Sequence, residues 1–239
     1  MSNGKVVKTA YKHTIFWVNA TGALAKSVAF RSMALQSLKG NDRVGATISA
    51  YYSLLHLAIA LMYLRPDKVE DKLREMLLRA HNGGAEDPSK LIQHRDALGF
   101  IEECLKDGLD VKFFEQLTSA KELREHVNYG PRVTWGADVI YVGPCSFRPE
   151  ACDQLVTSLD EVIQYSVAWA HEHSADGGRW STMAVIACQQ YFYKPDLFYA
   201  GWCSESCIAS AREFLKRLKG YIDVEEFQGA AGSLNEESG

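Results

Sequence analysis

The sequence has few of the residues that mark special classes of protein. Six cysteines among 239 residues are too few for a disulfide scaffold, so we expect reduced thiols. Basic charge is not in excess either, because 26 basic and 30 acidic side chains give a net charge of −4. That balance excludes the global basic excess of a strong non-specific DNA binder. The apolar share of 47% and the charged share of 23% exclude a mostly disordered or fibrous chain.

Several familiar sequence motifs are also missing. The pair Gly83-Gly84 lacks the following Lys-Ser/Thr and the preceding strand of a phosphate-binding loop. There is no nucleophile elbow and no repeat of fixed period. The first 17 residues contain no apolar core long enough for a signal peptide. We therefore expect a cytoplasmic protein with no cofactor.

The longest apolar stretch runs from residue 46 to 64 and has two interpretations. Nineteen residues are about enough to span a bilayer. However, polar side chains and small alanines interrupt the stretch, the polar ones being Thr47, Ser49, Ser53 and His56. These interruptions favour a buried core helix over a membrane span.

Apolar periodicity along the chain predicts an all-α protein with short connections. We predict helices at 22–38, 43–64, 68–80, 89–106, 111–129, 150–173, 180–193 and 204–221. Asp67 is expected to cap the third of these. The run at 14–18 is either a small strand or an apolar arm. The β-prone segment at 131–149 is either a hairpin or an extended arm.

These elements define the predicted fold class and domain boundaries. The fold class is an antiparallel helical bundle with a C-terminal helical extension and at most a small β element. We assign an N-terminal arm to 1–20, the bundle to 21–175, the C-terminal extension to 176–228 and a disordered tail to 229–239. We expect the 43–64 helix to be almost fully buried, and Tyr51, Tyr52 and Leu55 to contact the 111–129 helix.

The end of the 111–129 helix carries a polar cluster around Arg124, His126 and Tyr129. An arginine offers a planar fork of donors to a phosphate, and a histidine titrates near neutral pH. Such residues can therefore bind a phosphate and polarise a hydroxyl group. The alternative is a helix C-terminus with basic side chains that suit its dipole.

Three runs, taken together in this order, resemble the HEPN family (higher eukaryotes and prokaryotes nucleotide-binding). The run ATISAYYSLLHLAIAL at 46–61 resembles the second family helix. The run LIQHRDALGF at 91–100 resembles a later helix with a histidine and a phenylalanine. The run LREHVNYG at 123–130 resembles the closing arginine motif. The resemblance covers about residues 21–173.

The resemblance implies a helical bundle that dimerises and acts on RNA or nucleotides. Many family members are ribonucleases or toxins, and others are inactive partners of nucleotidyltransferases. The ribonucleases carry an arginine and a histidine separated by four to six residues, but this chain has Tyr129 where a gap of four after Arg124 would place the histidine. A tyrosine with an ordinary pKa of about 10 is a poor general base at neutral pH.

Our leading hypothesis is therefore a HEPN-like module of a prokaryotic toxin–antitoxin or antiviral defence system, without the standard ribonuclease site. It would bind RNA, a nucleotide or a protein partner, such as a second copy, a nucleotidyltransferase or a defence complex subunit, and no membrane. The predicted binding cleft consists of Arg124, Asn128, Tyr129, His94, Arg95 and Tyr52.

Two other functions stay open. One is an active, metal-independent ribonuclease that uses Arg124 and His126. The other is a non-enzymatic adaptor that docks through the aromatic segment at 191–202. Cys203 and Cys207 share a helix face, but nothing fixes the two further ligands of a zinc site. We therefore predict structural thiols and no metal.

Overall fold

A computed structural model describes residues 3–71, 73–75, 92, 94–129, 132–135, 138–141, 149–194 and 203–222 of the chain. In chain order its elements are α1 (Asn3–Lys39), α2 (Arg43–Leu64), a 3₁₀ turn (Pro66–Lys68), α3 (His94–Leu105), α4 (Val111–Tyr129), β1 (Arg132–Trp135), β2 (Asp138–Tyr141), α5 (Pro149–Glu172), α6 (Arg179–Tyr193) and α7 (Glu205–Tyr221).

The predicted all-α bundle is confirmed. Helices α2, α4, α5, α6 and α7 begin and end within one residue of their predicted bounds. The segment after α4 forms a hairpin, which was one of its two predicted forms. Its strands pair antiparallel, with Val133 opposite Ile140 and Trp135 opposite Asp138. The predicted tail at 229–239 lies outside the described residues.

The N-terminal arm predicted at 1–20 is wrong, because α1 is a continuous helix from Asn3 to Lys39. The β-prone run at 14–18 belongs to this helix. Phe16 and Ala20 are buried and continue the apolar stripe of Leu24 and Val28 by one turn each. Packing of Phe16 against Tyr63 and Trp180, with ring centroids 6.2 and 5.8 Å apart, therefore outweighs the local β propensity.

Two other helix starts differ from prediction. The helix predicted at 68–80 does not begin at Lys68, because Val69 is extended and ends the 3₁₀ turn. Asp67 does not cap that helix; its carboxylate pairs with Arg65 instead. Helical backbone is found at 71 and 73–75, and the rest of the predicted helix lies outside the described residues. Helix α3 begins at His94 rather than at residue 89.

Helices α1 and α2 form the centre of the bundle. The Asp42 carboxylate caps α2 by accepting a hydrogen bond of 2.9 Å from the Gly45 backbone N–H. A side chain at Gly45 would collide with that carboxylate. Helix α2 buries 17 of its 22 residues, as predicted. Its length and mean hydropathy of 1.5 suit a membrane span, but 78% of its apolar window is buried inside the protein, as in the core helix of a soluble protein.

The remaining helices pack around this central pair. Helices α4 and α5 pack against α2, whereas α6 and α7 pack against α1 and against each other. Phe192 of α6 and Phe214 of α7 are buried in the same hydrophobic core as Leu54 of α2. The predicted C-terminal extension therefore shares one core with the bundle.

An ion pair between the buried Arg31 and the partly exposed Asp160 joins three helices of this arrangement. Arg31 of α1, whose side chain is 4% exposed, donates two hydrogen bonds of 2.6 and 2.8 Å to the Asp160 carboxylate of α5. Its remaining terminal nitrogen donates to the side chain and the backbone carbonyl of Ser210 in α7. The guanidinium also lies 4.5 Å from the ring centre of Phe214. Arg217 donates to the same carboxylate at 2.8 Å.

Substitution of Asp160 by alanine is expected to destabilise the protein strongly. The substitution leaves the Arg31 charge buried without its carboxylate, which costs about 3 kcal/mol or more. Asp153→Ala is the matched control, because Asp153 lies on the same helix and pairs with Arg43 through side chains that are 42% and 33% exposed. Loss of that pair is expected to cost less than about 1 kcal/mol. Urea unfolding measures both values, and equal losses would contradict a special role of the Arg31–Asp160 pair.

Candidate functional site

The candidate site begins where the buried stripe of α4 ends. Phe113, Leu117 and Ala120 are buried at helical spacing, and Arg124 is the next residue on that stripe, eleven positions after Phe113. Arg124 is half-buried. A charged residue thus occupies a position at which α4 contacts α2.

Arg124 lies against two tyrosines of α2. Its guanidinium carbon is 4.7 Å from the ring centre of Tyr51 and 5.8 Å from that of Tyr52. These distances are those of cation–π contacts. The Arg124 Nε is buried and has no hydrogen-bond partner. The expectation that Tyr51 and Tyr52 contact the 111–129 helix is therefore confirmed.

The aromatic surface continues from Tyr52 towards α1. The centroids of Tyr51 and Tyr52 are 5.1 Å apart, and Phe30 lies 5.4 Å from Tyr52. His56 also stacks on Phe30, at 5.6 Å with an interplanar angle of 9°. Tyr51 and His56 are buried, whereas Tyr52 and Phe30 are partly exposed. We call Arg124, Tyr51, Tyr52, Phe30 and His56 the aromatic row.

The charge of Arg124 is not neutralised locally. Within the described part of the chain, its guanidinium forms no ion pair, and the neighbouring Glu125 pairs with Lys121 at 3.6 Å. Burial raises the pKa of the Tyr51 phenol, and the positive charge of Arg124 opposes that rise. Tyr51 is therefore a neutral phenol at pH 7. It lies beside Arg124, whose positive charge has no ion-pair partner in the described part of the chain.

The predicted cleft residues do not all come together. Arg124 and Tyr52 meet, but Asn128, His126 and Arg95 are exposed. His126 is two residues from Arg124, which corresponds to about 200° around a helix, so the two side chains leave α4 on opposite sides. The side chains of His94 and Tyr129 lie outside the described residues.

Phe30 is the site residue that the sequence analysis did not find. It lies off the Leu24–Val28 stripe of α1, and an aromatic residue outside the apolar stripe was the available signal. Its two ring neighbours are on another helix, so helical periodicity did not reveal them. His56, which the sequence shows as a polar interruption of the apolar stretch at 46–64, is buried and stacked on Phe30.

No metal centre is found in the described parts of the chain, where no three potential metal ligands lie together. The cysteines at 104, 152, 188 and 207 are buried and unpaired, and Cys203 is partly exposed and also unpaired. Burial raises the pKa of the Cys104 thiol to about 12 and that of Cys203 to about 11. The thiols of Cys104 and Cys203 are therefore protonated at neutral pH and are poor nucleophiles.

Comparison with known proteins adds no relative. No family model matches the chain, and no curated protein sequence or solved structure matches it. The resemblance to HEPN domains therefore depends on the three motifs and their order.

Removal of the Arg124 charge is expected to raise the pKa of Tyr51 further. The positive charge favours the phenolate, so Arg124→Gln removes the opposing contribution and leaves the effect of burial. Because the folded protein favours the neutral phenol, this group stabilises it below the unfolded pKa of about 10. That stability is lost as the pH rises through the folded pKa.

The measurement is a pH titration of tyrosine Cζ chemical shifts, with Tyr51→Phe to assign the signal. Lys112→Gln is the control, because it removes a positive charge at the exposed start of the same helix, where Lys112 pairs with Glu161. An unchanged Tyr51 titration in Arg124→Gln would show that the two groups are not coupled.

Proposed function

We propose that the chain is a HEPN-like, non-catalytic module that binds single-stranded RNA along the aromatic row. The observation that carries the proposal is the position of Arg124: half-buried over Tyr51 and Tyr52, with an unpartnered Nε and no carboxylate partner among the described residues. A ligand that brings acceptor oxygens would meet the exposed part of the half-buried Arg124 side chain, and would reach the Nε only if that side chain moves.

The chemistry of the row suits a nucleic acid strand. A guanidinium donates to phosphate oxygens in a planar, two-pronged geometry. Partly exposed aromatic rings beside it, those of Tyr52 and Phe30, suit unstacked bases. With a net charge of −4, the protein has little general attraction for nucleic acids, so local contacts must supply the affinity.

The proposal favours binding over cleavage for two reasons. Tyr129 stands where the ribonuclease members of the resembled family have a histidine. His126, the remaining candidate acid–base group, leaves α4 on the side opposite Arg124. An active site built from these two residues would need the second one from another copy.

The biological setting that we propose follows from the resemblance. The protein would act in the cytoplasm as part of a prokaryotic toxin–antitoxin or antiviral defence system. Its partner near Arg124 would be a second copy or a protein such as a nucleotidyltransferase. The adaptor alternative depends on the aromatic segment at 191–202, of which residues 195–202 lie outside the described residues.

The test is binding of a fluorescein-labelled ten-nucleotide oligouridine, followed by anisotropy at several salt concentrations. Arg124→Gln is expected to weaken binding about tenfold and to lower the salt dependence by about one counterion, because it removes one phosphate contact. Tyr52→Leu is expected to weaken binding about fivefold or more through loss of base stacking. Lys112→Gln, which is far along α4, is the control of equal charge change.

The melting temperature of each variant separates loss of binding from loss of folding. Unchanged RNA affinity in folded Arg124→Gln and Tyr52→Leu proteins would refute the proposed site. Cleavage of the RNA in chelator, abolished by Arg124→Ala and by His126→Ala, would instead support the ribonuclease alternative.

A further inference from the structure

A second concave site lies at the C-terminal end of α2, beyond the aromatic row. A cavity of about 670 Å³ opens between the first half of α1 at Trp17, the end of α2 and the connection from α5 to α6. Leu64, which lines it, is 13 residues beyond Tyr51, or about 20 Å along the helix. The volume lies within the usual range for sites that bind small molecules.

The walls of this cavity are mainly aromatic and aliphatic. Trp17 of α1 and Trp180 of α6 lie among its lining residues, together with Leu64, Pro66 and Met183. The Trp180 ring is fixed by stacking on Phe16, at 5.8 Å and an interplanar angle of 13°. Such a rigid aromatic wall suits a flat apolar group.

The two carboxylates in the lining differ in how far protein groups engage them. The Asp67 carboxylate accepts hydrogen bonds of 2.9 and 2.7 Å from Arg65. Asp176 accepts a hydrogen bond of 2.9 Å from the Trp180 backbone N–H through one oxygen, Oδ2. Its other oxygen, Oδ1, is buried and has no hydrogen-bond partner among the described residues, so Asp176 keeps its negative charge beside the cavity.

The remaining charged group in the lining is Arg179. It is exposed and forms no ion pair within the described parts of the chain. It also lies in the first turn of the 15-residue helix α6, where the helix dipole adds positive potential. Arg179 is therefore the cationic side chain that the lining offers to an anionic ligand, while Asp176 keeps its own negative charge nearby.

From this arrangement we infer that the cavity binds a small organic anion with a flat aromatic body. The aromatic body lies beside Trp17 and Trp180, and the carboxylate or a similar anionic group meets the Arg179 guanidinium. This site is separate from the proposed RNA-binding row and does not depend on it.

Isothermal titration calorimetry with three naphthalene probes of nearly equal shape tests this inference. The probes are 1-naphthaleneacetate, the neutral 1-naphthaleneacetamide and the cationic 1-naphthylmethylamine. We expect saturable binding of the acetate, and an affinity roughly five- to tenfold weaker for the amide, because the amide lacks the charge-assisted contact at a partly solvated arginine. The amine is expected to bind more weakly than the amide.

Two variants locate the binding site. Arg179→Gln is expected to abolish the preference for the acetate over the amide, while weak binding of both persists. Met183→Trp is expected to weaken binding of all three probes, because the larger ring occupies part of the cavity. Lys194→Gln, which removes an exposed charge at the other end of α6, is the matched control and is expected to bind like the wild type.

Several outcomes would overturn the inference. The first is that the acetate shows no saturable binding. The second is that the amide or the amine binds as tightly as the acetate or more tightly. The third is that Arg179→Gln keeps the preference for the acetate over the amide. Retained acetate affinity in a folded Met183→Trp protein would place the ligand elsewhere. If Met183→Trp does not fold, the binding of the three probes to the wild type and to Arg179→Gln still tests the inference. Arg179 is exposed, so its loss leaves the core intact.

Discussion

The ion pair of the buried Arg31 with Asp160 fixes how the helices of this protein meet. The guanidinium must face a carboxylate of α5 and an oxygen pair of α7 at once, and any rotation of α1 would separate a buried charge from its partners. Successive residues of a helix point about 100° apart. The orientation of Arg31 therefore also fixes that of Phe30, which turns towards α2 and lies against Tyr52 and His56.

Helix α2 connects the two sites that the fold presents. Its central residues are almost fully buried, so it has little freedom to move or rotate against its neighbours. The tyrosines near its middle form part of the aromatic row, and Leu64 at its end lines the second cavity. Because one rigid helix supplies part of each site, both sites have fixed geometry, although they use different chemistry.

Periodicity predicted most of the fold because most helices present one apolar face to one core. It failed for α1, where Thr14, Ile15 and Val18 indicated a strand or arm, because packing of Phe16 on Tyr63 and Trp180 is a contact between distant segments. Only part of the site was predicted, because periodicity within one helix does not show which residues of two helices meet. Arg124 and Tyr52 belong to motifs within single helices, whereas the contact of Tyr52 with Phe30 depends on how α1 and α2 pack.

The position of Arg124 is the strongest argument that the row has a ligand. The buried stripe of α4 continues to this residue, and a leucine or methionine there would cover Tyr51 without any polar group to satisfy. Arginine instead leaves a buried Nε without a partner, which costs about 1–3 kcal/mol. Local rules of packing are typically broken where a side chain serves binding rather than folding. The cation over the tyrosines therefore supports the proposal that the row binds an anionic ligand.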